Sequence, residues 1–208
     1  VVGVSPREYK QHGAFAEFLS IPARILYRLP DTLPFEQAAM VEPVSIAVHA
    51  VQRAKITPGA TAVVIGSGMI GLLVIQALRW AGAERIIAVD LADNRLALAR
   101  RLGATHTINS GSGNAAAEIT TLTGGHGADL AFEVVGVGPT LNLALDSLRR
   151  GGQCVLVGNL APKTQDFPLQ AVVTKELTLL GSCSSAGEYP LCLDLIRSEE
   201  HTSELQSP

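Results

Sequence analysis

Three glycines and one acid have the types and spacing that could do chemistry. Gly66, Gly68 and Gly71 stand in the order G-x-G-x-x-G. In that spacing the first glycine allows a tight turn, the second lets backbone approach a pyrophosphate, and the third lets a helix pack closely on a strand. A helix that starts there offers free N–H groups and the positive end of its dipole to phosphates. Asp90 follows Gly71 by 19 residues, near the interval at which a carboxylate holds the adenosine ribose. Such a carboxylate accepts hydrogen bonds from two ribose hydroxyls and repels a 2′-phosphate, so the pattern favours NAD over NADP. The competing reading of Asp90 is an ordinary strand-end aspartate that caps the next helix.

These residues need a strand, a turn, a helix and a second strand to position them, and the flanking sequence supplies each one. Ala62-Val63-Val64-Ile65 is apolar and mostly β-branched, as in a strand covered on both faces. Ile86-Ile87-Ala88-Val89 is a second such run and ends in Asp90. Beyond it, strand and helix signals alternate, the mark of a parallel sheet. The pattern predicts helices from Asp93 to Gly103, Asn114 to Leu122, Pro139 to Arg150 and from Tyr189 to Ile196. It predicts strands at Thr105–Ile108, Asp129–Val135, Gln153–Val157 and Leu177–Leu180. Six strands fit a doubly wound parallel α/β sheet of order 3-2-1-4-5-6. Gly136, Gly158 and Gly181 stand at strand ends on the side where such sheets bind ligands. There a missing side chain lets the nicotinamide half of a dinucleotide lie against backbone; turn chemistry alone is the other reading.

The first 33 residues read differently. Gly3, Pro6, Gly13, Pro22 and Pro30 break them into short pieces, with strands expected at Ala14–Leu19 and Ile25–Leu29. They are too few to close a core and read as part of a larger β-rich domain. A helix is expected from Pro34 to Met40, an interruption at Glu42-Pro43, and a second helix from Val44 to about Ala54. Thr57-Pro58-Gly59-Ala60 marks a boundary. The expected organisation is therefore residues 1–57 as a β-rich remnant and 58–196 as a dinucleotide-binding domain. The string Arg197–Ser207 matches the translation of a common sequencing-library adapter, so residues 197–208 are expected to be foreign to the protein and the chain to be a piece of a longer one.

Composition excludes several classes. The 208 residues are 47% apolar with mean hydropathy +0.28 and a formal charge of −3, so nothing favours nucleic acid or an anionic membrane as a partner. No apolar run is long enough to span a bilayer. Cys154, Cys183 and Cys192 are few, odd in number and unpatterned, which fits reduced thiols in a cytoplasmic protein better than a disulfide framework or a zinc cluster.

Several strings together point to a family. Gly13-Ala14-Phe15-Ala16-Glu17, Leu29-Pro30-Asp31, Glu42-Pro43-Val44-Ser45-Ile46-Ala47-Val48-His49-Ala50, the glycine motif and Val155-Leu156-Val157-Gly158 occur in that order. Residues 1–196 resemble the zinc-dependent medium-chain dehydrogenases, above all the polyol branch of sorbitol and galactitol-1-phosphate dehydrogenases. Lys175–Ser182 is especially similar to the latter. The resemblance implies a GroES-like catalytic domain carrying a zinc that faces the nicotinamide, and hydride transfer from a sugar alcohol or its phosphate to NAD. It implies Glu42 as a catalytic residue that faces the zinc, as ligand or through its water. Composition alone reads Glu42 as a helix-dipole charge. It further implies Met69 and Ile70 at the pyrophosphate turn and Arg95 on the adenosine side. Val157, Gly158, Asn159, Ser182 and Cys183 fall on the nicotinamide side. His49 becomes a packing residue, and His12, His106 and His126 are not metal ligands. Intact relatives imply a homodimer or homotetramer.

The sequence also departs from that pattern. The family's other zinc ligands, a Cys and a His-Glu pair, are not among these residues. Where sorbitol dehydrogenases carry an Arg-Tyr substrate pair, this chain has Ser184-Ser185. Two alternatives stay open: a zinc-free quinone or enoyl reductase of the same superfamily, which would prefer NADPH, and a dinucleotide-binding module without chemistry. With one zinc donor of the three a catalytic centre needs, the chain by itself is expected to bind without turnover.

Overall fold

The computed structural model describes residues 13–158 and 167–197. The chain divides into two compact units, Val1–Pro30 and Asp31–Pro208. In the first unit, the described residues contain one 3-10 turn, Ala23–Ile25, and no strand. The strands expected at Ala14–Leu19 and Ile25–Leu29 are thus not formed. A strand needs a neighbour to take its N–H and C=O groups. Here Ile25 N–H and Leu26 N–H turn back instead onto the carbonyls of Pro22 and Ala23, each at 3.1 Å.

The second unit begins with two helices, α1 (Phe35–Ala38) and α2 (Val41–Arg53). The interruption expected at Glu42-Pro43 does not occur, because both residues fall in the first turn of α2. A proline there loses an N–H that has no intrahelical partner anyway. Strand β1 (Thr61–Ile65) follows, then α3 (Met69–Trp80), β2 (Arg85–Asp90), α4 (Asp93–Arg101), β3 (His106–Asn109) and α5 (Ala115–Leu122). The chain continues with β4 (Ala128–Glu133), α6 (Gly138–Ser147), β5 (Leu148–Leu156), α7 (Leu169–Thr174), β6 (Thr178–Gly181) and α8 (Tyr189–Arg197). The strands form one sheet in the order β3-β2-β1-β4-β5-β6, with every pairing parallel. The strand order read from the sequence is therefore the order observed.

Two elements differ locally. The helix expected up to Arg150 stops at Ser147, since Leu148 already pairs with Ala128. The register then jumps, so that Leu130 pairs with Gln153 and residues 149–152 loop out. Arg149 fixes that loop by donating from Nε to Asp129 Oδ1 at 2.6 Å. Helix α7 was not legible: six residues with no capping side chain leave little trace.

The core explains the composition. Val63, Ile65, Ile87, Val89 and Ile108 pack on one face of the sheet with Ile119 of α5 and Leu145 of α6. Side chains alternate along a strand, so Ala62, Val64, Ile86 and Ala88 turn to the other face, where α3 packs between α2 and α4. Both sets are almost fully buried. Small and β-branched residues suit such a sheet because helices press on it from both sides. The arrangement leaves the C-terminal ends of the strands open between β1 and β4, where the strand order reverses.

Candidate functional site: a cleft at the reversal of strand order

The turn after β1 is built by glycine for two separate reasons. Gly66 has φ +98°, a region that favours glycine, and its N–H donates to Val89 O at 2.8 Å. Gly71 sits inside α3, where a Cβ would lie 1.8 Å from the Gly66 carbonyl oxygen, so only glycine lets the helix approach the turn. Gly68 is different. Its φ is −72° and nothing lies within 4 Å of where a Cβ would be. Folding does not require glycine there, and the space beside its backbone is open. Gly68 is the N-cap of α3 and no side chain caps that end, so the first N–H groups of the helix face the opening. Met69, the first helical residue, is exposed beside it.

Asp90 ends β2 next to this turn. Its Oδ2 accepts the Ser67 N–H at 2.7 Å and its Oδ1 accepts the Ala92 N–H at 3.0 Å. Ala92 is the N-cap of α4, so the helix-end reading of Asp90 holds in part. The same bonds fix the carboxylate beside the glycine turn. Each oxygen keeps a further lone pair for a ligand hydroxyl. Arg95 Nη1 stands 3.7 Å from Oδ1, with the Arg95 side chain largely exposed. Asp93, where α4 is expected to begin, is its first residue and accepts from Asn109 Nδ2 at 2.6 Å.

An open cleft of about 790 Å³ lies on the other side of the turn. Val157, Gly158, Ser182 and Cys183 line it together with Ile70, the residue expected at the pyrophosphate turn. Gly136 has φ +91° and abuts Gly158 so closely that a Cβ on Gly158 would lie 2.2 Å from the Gly136 nitrogen. Asn159 lies outside the described residues. Sequence reasoning missed Ile46 of α2, Val134, Val135 and Leu156 as walls of the cleft. It also missed Ser184, which takes φ +57° there. Apolar residues at strand ends carry no signal that separates a cleft wall from core.

Glu133 is a further residue with no role in the sequence reading. It is 2% exposed at the end of β4. Its presence inside an apolar run was the available signal, because a buried carboxylate must find partners. Beneath it, burial pushes the Cys154 thiol up to about 12, with the Glu133 charge adding to the effect. On the far side of α2, His49 Nδ1 lies 2.7 Å from Glu188 Oε1, joining α2 to the start of α8. His49 is thus a paired structural residue.

The residues fit a dinucleotide. The open space beside Gly68 and the uncapped end of α3 adjoin Ser67, whose N–H holds the Asp90 carboxylate. The Ser67 hydroxyl oxygen in the glycine turn and the Ser182 hydroxyl oxygen at the cleft are buried without a hydrogen-bond partner among the described residues. Zinc is another matter. Glu42 is exposed in the first turn of α2, one turn before the cleft residue Ile46. Among the described residues, no three His, Cys, Asp or Glu side chains gather where they could hold a metal ion. A catalytic zinc centre takes three protein ligands. The described residues do not by themselves supply one.

The fold and the site define a doubly wound α/β domain with a glycine turn at the reversal of strand order, the architecture in which dinucleotides bind. The sequence model described as zinc-binding dehydrogenase matches residues 70–198, and the chain belongs to that family. Sorbitol dehydrogenase of Bacillus subtilis is 36% identical over 188 residues, covering 89% of this chain and 53% of that protein. The structure of galactitol-1-phosphate dehydrogenase from Escherichia coli matches with a TM-score of 0.83 at 29% identity, over 91% of this chain and 57% of that one. A zinc-binding dehydrogenase from Sinorhizobium meliloti, solved bound to NADP, matches with a TM-score of 0.81 at 28% identity, over 89% and 55% of the two chains. The chain spans about half the length of the curated relatives it matches. Among the described residues, no helix is long and apolar enough to cross a membrane.

Proposed function

We propose that this chain is the NAD-binding part of a zinc-assisted dehydrogenase acting on a sugar alcohol or another secondary alcohol. The observation that carries the reading is the contrast between Gly71, which packing requires, and Gly68, whose backbone stands open to a close ligand. The pyrophosphate lies over Gly68, Met69 and Ile70. The adenosine ribose meets Asp90, with Arg95 beside the adenine side. The nicotinamide enters the cleft of Val157, Gly158 and Ser182, with Gly136 behind it and Asn159 following on the same side. When bound, NAD accepts a hydride at its nicotinamide C4 from the carbon that bears the substrate hydroxyl. The chain's own part is to orient that ring and to keep one of its faces against an apolar wall.

Residues 58–196 form the cofactor domain in this reading, 1–57 belong to a GroES-like catalytic domain, and 197–208 are foreign sequence. Among the described residues, Glu42 is the one that would meet a zinc ion; the remaining ligands come from another part of the complete protein. The complete protein works in the cytoplasm as a homodimer or homotetramer on a small polyol or polyol phosphate, without nucleic acid or membrane partners. The family membership and the named relatives support the polyol class.

The test is calorimetric titration of the chain with NADH and NADPH. NADH is expected to bind more tightly, and Asp90→Ser to narrow the preference by about tenfold or more, since a tenfold change needs only about 1.4 kcal/mol. Absence of NADH binding overturns the reading. A preference for NADPH favours the zinc-free reductase reading instead. The chain by itself is expected to bind without oxidising a polyol.

A further inference from the structure

We propose that Glu133 is the positioning residue that shapes the nicotinamide wall of the cleft; the inference rests on the dinucleotide reading above. Three donors converge on one of its carboxylate oxygens. Oε1 accepts the Val135 N–H at 3.0 Å, the Gly136 N–H at 2.8 Å and the Thr140 hydroxyl at 2.7 Å. The same residue's main-chain oxygen accepts the Val157 N–H at 2.9 Å and the Gly158 N–H at 3.0 Å. One residue therefore ties together the two strand-end loops that form the wall, one after β4 and one after β5.

The chemistry explains why an acid stands at a site that water hardly reaches. An ionised carboxylate oxygen accepts several N–H and O–H groups more strongly than a neutral amide oxygen does. The bonds to Val135 and Gly136 turn the backbone back at once after β4. That turn brings Gly136 against Gly158, closer than any Cβ would allow. Val135, Val157 and Gly158 then face the cleft. Without the carboxylate, residues 134–137 lose the bonds at Val135 and Gly136, Thr140 of α6 loses its own, and the wall relaxes outward. The phosphate side keeps separate anchors, Gly66 N–H to Val89 O and Ser67 N–H to Asp90. Glu133 therefore acts on the nicotinamide half of the ligand and not on the adenosine half.

Two ligands separate these halves. NADH fills both; ADP-ribose carries the adenosine, both phosphates and a ribose but no nicotinamide. Each is titrated calorimetrically into the 208-residue chain and into Glu133→Ala, Glu133→Gln and Thr140→Val. Loss of hydrogen bonds to a charged group predicts NADH binding weaker by about tenfold or more in Glu133→Ala, with ADP-ribose changed less than about twofold. Glu133→Gln recovers part of the loss. Thr140→Val removes one anchor, leaves the carboxylate in place and weakens NADH alone by about threefold, which keeps the test intact if Glu133→Ala does not fold. Equal losses for the two ligands, or no loss for NADH, overturn the inference and leave the cofactor reading standing. If the unaltered chain binds neither ligand, the cofactor reading falls and the inference falls with it.

Discussion

A Cβ on Gly71 would lie 1.8 Å from the carbonyl oxygen of Gly66. No rotamer or small shift relieves such an overlap, because both partners are backbone held in a turn and a helix. Gly71 is therefore a packing glycine, and its neighbour Gly68, with open space around it, is not.

That difference gives opposite expectations for two substitutions of the same kind. Gly71→Ala should destabilise the fold by about 1–3 kcal/mol or more, as overpacking does, and lower the melting temperature. Gly68→Ala should leave the melting temperature nearly unchanged but weaken NADH binding, because the methyl group occupies the path of the pyrophosphate. Thermal melts with and without NADH measure both. An intact ligand response in Gly68→Ala would remove the phosphate assignment.

The three thiols should differ sharply in reactivity. Cys154 is pushed up to about 12 by burial and then by the Glu133 charge, and Cys192 to about 11 by burial and then by Glu188. Cys183 is exposed and lines the cleft. A maleimide reagent should label Cys183 first in the native chain and the other two only on unfolding. Saturating NADH should slow the labelling of Cys183. Unchanged labelling under NADH would place the ligand elsewhere.

Acid should loosen the molecule through two carboxylates. Burial alone would raise the Glu188 carboxyl, but the hydrogen bonds from His49 and from the Ala186 N–H outweigh it and hold the group below its ordinary value. Burial likewise acts upward on Asp129 and is outweighed by the Thr61 N–H and by Arg149. Both groups are depressed in the folded state, so their stabilisation is present above the unfolded carboxyl values and is lost as pH falls through the folded ones. Melting temperature should therefore drop as pH falls below about 5. Glu188→Gln and Asp129→Asn should each flatten that drop. At neutral pH, His49→Ala should destabilise by about 1.5–3 kcal/mol, the range for a hydrogen bond to a charged group. Acid limbs that run parallel in all variants would separate these pairs from the pH response.

The sequence by itself determined the sheet and its order. Apolar runs of four or five residues separated by helical runs fit strands of a sheet covered by helices, and the helices between them force parallel crossovers. It also determined the glycine turn and the placement of Asp90 beside it, because both depend on spacing along one βαβ unit. Its expectations failed where a partner decides the outcome. Ala14–Leu19 is no strand among the described residues, and Leu148 left its helix to pair with Ala128. Only the tertiary structure joined residues far apart in the chain: Asp90 with Ser67, His49 with Glu188, and Glu133 with both loops of the cleft. Those contacts depend on where strands end and which ends face each other. That is a property of the packed sheet, which no local pattern of residues encodes.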